Sequence, residues 1–275
     1  VIDVRLSCFD SRESCESVCL FGGLDLMTGT SMTRLEAGVL TLTFNRPQKK
    51  NAFNGELYEA AAQALLDADR NDEVRVVVLT GAGDNFTSGN DIKDFLQKPP
   101  NSEDNPFLRF MRAISRFEKP LVAGVDGVAV GVGTTMLLHC DHVVASARAM
   151  FSMPFVNLGL CPEGASSVLL PRLAGMSLAS ELLMFGDTFD AATALRARIV
   201  HQVVPEIELA EVVSQRASAL AAKPVEALRL TKRLLREPLR AEVDAALQRE
   251  GKHLFERIAS AEAQAVFAAF LSGRK

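Results

Sequence analysis

One acidic residue in this sequence, Glu163, could either move a proton or merely cap a helix. Glu163 lies in Pro162-Glu163-Gly164-Ala165-Ser166-Ser167, a turn-prone stretch flanked by Phe155, Leu160 and Val168. Apolar neighbours desolvate a carboxyl and raise its pKa, which suits exchange of a proton near neutral pH. The plainer reading makes Glu163 a helix N-terminal acid that complements the helix dipole. Two glycine-bearing turns, Ser88-Gly89-Asn90-Asp91 and Gly131-Val132-Gly133, offer a second kind of chemistry. Each follows a buried-strand pattern and opens a helix, which puts backbone N–H groups near Asn90 and Val132 where they face an anionic atom favourably. Either turn alone is equally a tight turn with a helix cap.

Other polar residues carry less. Asp141 stands between a helical and a strand pattern and reads as a structural cap rather than a base. His139 and His142 lie beside it, but their spacing is that of no metal site. Three of the five cysteines, Cys8, Cys15 and Cys19, crowd the first twenty residues without a zinc spacing, a nearby histidine or an even total. Cys140 and Cys161 sit in apolar segments and read as small hydrophobes. No metal is expected.

The elements that must position these groups follow from periodicity. Val39-Leu-Thr-Leu-Thr-Phe44 alternates as a half-buried strand does, and Val74–Thr80 is a β-branched run bounded by Gly81-Ala82-Gly83. Between them Asn54 caps a helix with Leu57, Ala61, Leu65 and Ala68 at helical spacing. A short helix Ile92–Gln97 and a helix Phe107–Phe117 follow. The rhythm then repeats: strand Leu121–Val125, turn Asp126-Gly127, helix Thr134–His139, strand Asp141–Ser146. Strand, glycine loop and helix in succession predict an α/β fold. Helical patterns dominate from Gly164 onward, interrupted by a strand at Ile199–Val204 and ending in four stretches, Glu206–Ala222, Val225–Leu234, Ala241–Arg257 and Ala261–Leu271. Their apolar stripes are wide enough for subunit packing as well as for covering the sheet.

Gross properties exclude several function classes. The 275 residues, 48% hydrophobic and 23% charged, suffice for one large core. A net charge of −4 with scattered basic residues gives no footprint for nucleic acid. No apolar run approaches the roughly eighteen residues of a membrane span. Residues 1–33 differ in composition from the rest and are expected to be a disordered or artefactual extension, with Met27 or Met32 as the true start. Residues 34–205 are expected to form the core and 206–275 a helical region. Without a secretory or peroxisomal address, the expected location is the cytoplasm.

Taken in order, the motifs resemble the crotonase (enoyl-CoA hydratase/isomerase) superfamily. The landmarks are Asn45-Arg46-Pro47 with Asn51-Ala52-Phe53, Leu79–Gly83, Phe86–Asp91, Lys119-Pro120, Asp126–Gly131, Cys140-Asp141, Asn157–Leu160 and Phe185–Ala191. They stay in register from about Gly38 to the end. The resemblance implies a spiral of ββα units with a C-terminal helical trimerisation region, assembled as a homotrimer or a dimer of trimers. It implies an acyl-CoA substrate with no further cofactor, and makes the N–H groups of Asn90 and Val132 the donors to a thioester enolate. Hydratases of the family use two glutamates. The aligned positions here hold Thr135 and Phe155, and neither exchanges a proton near neutral pH. Pro162-Glu163-Gly164 and Ser-Gly-Asn-Asp resemble instead the peroxisomal-type Δ3,Δ2-enoyl-CoA isomerases, in which one glutamate shuttles the proton. Val132 stands near where hydratases usually carry a third glycine, and supplies the same N–H beside a narrower pocket.

The resemblance also marks binding positions. Lys49 and Lys50, with Arg46, fall where coenzyme A phosphates are met, or form no more than a solvated turn. Ser88 and Ile92 are candidate main-chain contacts to the adenine. Phe95, Phe107, Leu108 and Met111, together with Phe155 and Leu160, are candidates for lining the acyl site, although helical spacing fits core packing as well. Two alternatives to the isomerase remain: a hydratase or other acyl-CoA reaction on the same oxyanion site, and a silent acyl-CoA-binding module.

Overall fold

Strand alternation decides which residues face which core. In the computed structural model, which describes residues 24–97 and 105–272, the main sheet has seven strands. From edge to edge they are β1 (Leu24–Thr28), β2 (Ser31–Glu36), β3 (Val39–Phe44), β4 (Val76–Gly81), β5 (Leu121–Val125), β7 (His142–Ser146) and β10 (Gln202–Val204). β1, β2 and β3 pair antiparallel, and every later pair is parallel. Along β4, Val77 and Leu79 enter the larger core while Val76 and Val78 enter a smaller one behind the sheet. The β-branched run is therefore buried on both faces, as a central parallel strand should be.

Helices cover both faces. Helix α1 (Gly55–Arg70) starts where Asn54 Oδ1 accepts the Leu57 N–H at 3.0 Å, and it buries Leu57, Ala61, Leu65 and Ala68. After α2 (Ile92–Gln97) comes α3 (Pro106–Arg116), capped by Asn105 and packed on α1. The Lys119 ammonium is buried against the C-terminal carbonyls of α1, donating to Ala68 and Asn71 at 2.6 Å. The opposite face is covered by α8 (Leu209–Ala221) through Val213, Ala217 and Ala221.

A second sheet of three strands, β6 (Val128–Val130), β8 (Met150–Ser152) and β9 (Phe189–Asp190), lies beside the first. Helices α4 (Val132–Thr135), α5 (Ser166–Ala174), α6 (Met176–Phe185), α7 (Ala191–Arg196), α9 (Val225–Ile258) and α10 (Ala261–Leu271) complete the described chain. The α/β class with a parallel-rich sheet and a C-terminal helical region is as expected.

Three elements differ from expectation. Residues 24–33, assigned to the extension, instead supply β1 and the first half of β2. The register Leu24↔Leu35 to Thr28↔Ser31 makes them a hairpin on the edge of β3. Cys8, Cys15 and Cys19 lie outside the described residues. The helix expected at Thr134–His139 is the four-residue α4 followed by a 3-10 turn, Met136–His139. Two expected helices merge into the 34-residue α9, which runs through Pro238. A proline removes one hydrogen bond and crowds the preceding turn. Here α9 is anchored just before it. Lys232 and Arg236 both bind Asp141, and Arg236 also donates to the carbonyls of His139 and Cys140 at 3.1 Å. Asp141 in turn accepts the Leu121 N–H at 2.9 Å, so it is the structural tie between β5 and α9. Among the described residues no helix is long and apolar enough to cross a membrane.

Candidate active site

The two N–H groups come together by strand register. Thr87 pairs with Ala129 in a parallel bridge, with Thr87 N–H on Val128 O at 2.9 Å and Val130 N–H on Thr87 O at 3.1 Å. Asn90 and Val132 are each three residues further on, so they emerge at the same end of this pairing. On its other side Asn90 bridges Phe53: Phe53 N–H donates to Gly89 O at 2.7 Å and Asp91 N–H to Phe53 O at 2.8 Å. Parallel pairing of that kind turns the N–H of Asn90 away from Phe53. Val132 is the first residue of α4, whose leading N–H has no partner inside the helix. Neither N–H finds an acceptor among the described residues.

The loops that the resemblance relied on turn out to be the frame of this pair. Asn51, fully buried, accepts the Arg46 N–H and donates to the carbonyls of Ala82 and Asn85. The Thr87 hydroxyl donates to Asn51 O at 2.7 Å and accepts the Gly89 N–H at 3.1 Å. Arg46 is not available to a coenzyme A phosphate. Its guanidinium pairs with Asp91 at 3.1 Å and donates to Ala52 O at 2.5 Å, holding one loop to the other. Lys49 and Lys50, by contrast, are exposed and in no ion pair among the described residues. Ser88 already donates its N–H to Lys50 O at 2.9 Å, which leaves its carbonyl as the main-chain group open to a ligand. Ile92 is half-buried at the start of α2. Phe95 belongs to the same helix, and its side chain lies outside the described residues.

Glu163 reaches this site from the segment before α5. Only 1% exposed, its Oε1 accepts the Thr135 hydroxyl at 2.5 Å, and its buried Oε2 has no partner. Thr135 is the last residue of α4, the helix that Val132 opens. Burial pushes the Glu163 carboxyl up to about 8, against the opposing pull of the Thr135 hydrogen bond and with a further push from Glu250. Glu163 is not the N-terminal acid of α5 in the plainer reading, because Glu250 occupies that role, accepting the N–H groups of Ala165 and Ser167. Phe155, Phe107, Leu108 and Met111 are buried in the same apolar cluster, with Leu160 and Val168 packed against it.

Two participants, Tyr58 and Glu250, escaped the sequence reading, and a third, His139, is weighed there only as a metal ligand. Tyr58, 4% exposed, donates its hydroxyl to Asn90 Oδ1 at 2.5 Å and is packed against Phe53, Phe107 and Phe110. Burial, then the nearby Glu163, raises its phenol well above the ordinary value, so it stays protonated as a donor. As the chain's lone tyrosine on an apolar helix face, it offered composition as the signal. His139 is buried, and desolvation lowers it to about 4. It is neutral at pH 7, and its Nε2–H donates to Gly164 O at 2.8 Å. Glu250 had no sequence signal at all. Among the described residues no three metal-ligating side chains cluster.

The raised carboxyl carries a stability consequence. Its folded pKa of about 8 exceeds the ordinary 4.5, so the folded state holds a proton that the unfolded chain releases. The contribution is fully present below about pH 4.5 and is lost as pH rises through about 8, on the order of 5 kcal/mol in all. Denaturant titrations of wild type and Glu163→Gln should therefore diverge with pH. The variant gains relative stability from about pH 5 to about pH 8.5, and parallel curves would show that Glu163 ionises normally.

Comparison with known proteins converges with this geometry. The sequence profile of the enoyl-CoA hydratase/isomerase family matches residues 34–275. Human enoyl-CoA delta isomerase 2 is 37% identical over 250 residues, covering 88% of this chain; the chain spans 63% of that protein's length. The 1,2-epoxyphenylacetyl-CoA isomerase of Escherichia coli (strain K12) is 34% identical over 252 residues, covering 88% of this chain and 95% of that protein. The crystal structure of an enoyl-CoA hydratase/isomerase from Pseudoalteromonas atlantica T6c superposes with a TM-score of 0.85 at 42% identity, over 90% of this chain and 98% of the other. Profile, relatives and fold agree over nearly all of the described residues: the chain belongs to the enoyl-CoA hydratase/isomerase family.

Proposed function

We propose that this protein is a Δ3,Δ2-enoyl-CoA isomerase, moving the double bond of a 3-enoyl-CoA to the 2-position with Glu163 as the proton carrier. The observation that carries this reading is the buried Glu163 carboxyl, tied by Thr135 to the helix that Val132 opens, near two N–H donors that no described residue engages, with threonine and phenylalanine at the positions where a hydratase needs glutamates. The thioester oxygen sits against the N–H groups of Asn90 and Val132. Ionised Glu163 takes a proton from C2, and the C2–H electrons pass through the carbonyl to give a dienolate whose charge rests on that oxygen. Protonated Glu163 then returns the proton at C4, and the electrons close the C2–C3 double bond. No net water or redox equivalent is needed, so no cofactor enters beyond the coenzyme A of the substrate.

Binding follows the same reading. Lys49 and Lys50 meet the phosphates, Ser88 and Ile92 the adenine, and Phe95, Phe107, Met111, Phe155 and Leu160 the acyl chain. Leu230, Leu234 and Leu235 expose apolar surface on α9, which supports assembly as a trimer or a dimer of trimers. The protein would act in the cytoplasm.

The deciding experiment compares isomerisation of 3-enoyl-CoA with hydration of 2-enoyl-CoA over one set of acyl chains. Isomerisation is expected to dominate throughout. A dominant hydration rate would defeat the proposal, and tight coenzyme A binding without either turnover would point to a binding module.

A further inference from the structure

The turn that carries Glu163 is strained. Gly164 (φ +69°) and Ala165 (φ +59°) both lie in the left-handed region, and Ala165 is fully buried there. A residue with a Cβ adopts that conformation only where its surroundings enforce it. Gly164 has no room for a side chain: a Cβ would meet Thr135 Oγ1 at 2.9 Å and Met111 Cε at 3.1 Å. The next residue is held from a distance. Glu250, 6% exposed in the last third of α9, accepts the Ala165 N–H at 2.6 Å, the Ser167 N–H at 3.0 Å and the Ser167 hydroxyl. From the opposite side His139 donates to Gly164 O. Burial raises the Glu250 carboxyl above its ordinary value, and the three groups that reach it, all donors, oppose that and favour the ionised form. Beside it, Gly251 lets Leu108 of α3 approach to 3.2 Å from where a Cβ would stand, drawing α9 onto the core at this point.

We infer that Glu250, reaching from the C-terminal helix, is a positioning residue that locks the strained Gly164–Ala165 turn and thereby aims the Glu163 carboxyl at Thr135 and the N–H pair. It touches no substrate. Its charge also bears on Glu163, which it pushes toward the protonated form. The other groups facing Glu163 are neutral near pH 7: Tyr58 from α1, Thr135 from α4, and Cys161, whose thiol burial lifts to about 11. His139 reaches the turn as the neutral ring. Glu250 thus supplies the one nearby carboxylate, and it couples the helical region to the proton carrier.

The consequence for turnover rests on the isomerase reading; the consequence for Glu163 does not, and the test separates them. Glutamine at 250 puts an amide N–H against the Ala165 or the Ser167 N–H. In Glu250→Gln, kcat for 3-enoyl-CoA should fall roughly 10- to 100-fold through misplacement of the carboxyl, with KM held within about twofold. Infrared titration of the free protein, with the Glu163 band assigned by its loss in Glu163→Gln, should show the midpoint moved to lower pH. Ser167→Ala, an exposed site, removes one donor and leaves the Glu250 charge in place, so it should lower kcat by less, with KM held, and should not move the midpoint to lower pH. It decides the matter if Glu250→Gln fails to fold. Wild-type kcat in the folded variants, with the wild-type midpoint in Glu250→Gln where it folds, would overturn the inference. A shifted midpoint in a protein with no isomerase activity would instead leave it standing and remove the isomerase reading.

Discussion

Glu163→Gln is expected to isomerise 3-enoyl-CoA ~10²–10⁴-fold more slowly than wild type, the span associated with loss of an acid–base group. Glutamine has nearly the same shape and keeps an oxygen to accept the Thr135 hydroxyl, so fold and substrate binding should survive. What is lost is the ability to hold and release a proton at Oε2, which is buried and has no hydrogen-bond partner among the described residues. Neither neighbour replaces it: Thr135 and Tyr58 hold their protons at any pH near neutral. KM should therefore change little while kcat and kcat/KM fall together, the pattern of an interaction used only in the transition state. On this proposal wild-type activity also needs the ionised carboxyl, so it should rise with pH through a midpoint near 8 and level off about a unit above it. Steady-state assays across pH check both. Equal rates in the two proteins would remove Glu163 from the mechanism.

Gly89→Ala should be almost as damaging without touching a reacting side chain. Gly89 has φ +84°, and a Cβ there would lie 2.6 Å from Val130 O. The backbone of one N–H segment must then move away from the other, and Asn90 N–H leaves the point where the proposed reaction forms its enolate oxygen. Loss of one such donor costs ~10²–10³ in rate. Unlike Glu163→Gln, which abolishes that titration, this variant should keep the wild-type pH dependence of Glu163 ionisation. Thermal melts matched to activity assays check it. An active Gly89→Ala protein would place the oxyanion site elsewhere.

The parts of this molecule that were legible in its sequence are those with local causes. β3, β4 and β5 follow from alternation and β-branched runs, and α1 from Asn54 and its apolar spacing. The Asn90 and Val132 turns follow from glycines set between strands and helices. Composition misled at residues 24–33, because a short hairpin on a sheet edge is identified by its partner strand, not by its own sequence. The break expected between Leu234 and Ala241 is absent because α9 is anchored there by a long-range tie, Asp141 to Lys232 and Arg236. Arg46 read as a free cation for the same reason, since Asp91 stands forty-five residues away. Glu163 itself was legible. Its orientation was not, because it depends on Thr135, His139 and Glu250, three groups that only the folded chain assembles.

The most direct test of Glu163 as a shuttle is to follow the label from 3-enoyl-CoA carrying two deuterons at C2. A carboxyl only 1% exposed has little contact with water during the life of the dienolate. The account predicts that wild type delivers a substantial share of the abstracted deuterium to C4 of the 2-enoyl-CoA product. Conversion at full rate with deuterium equally placed by Glu163→Gln, or with all of it lost to water and replaced from solvent, would contradict a buried carboxyl carrying the proton from one carbon to the other.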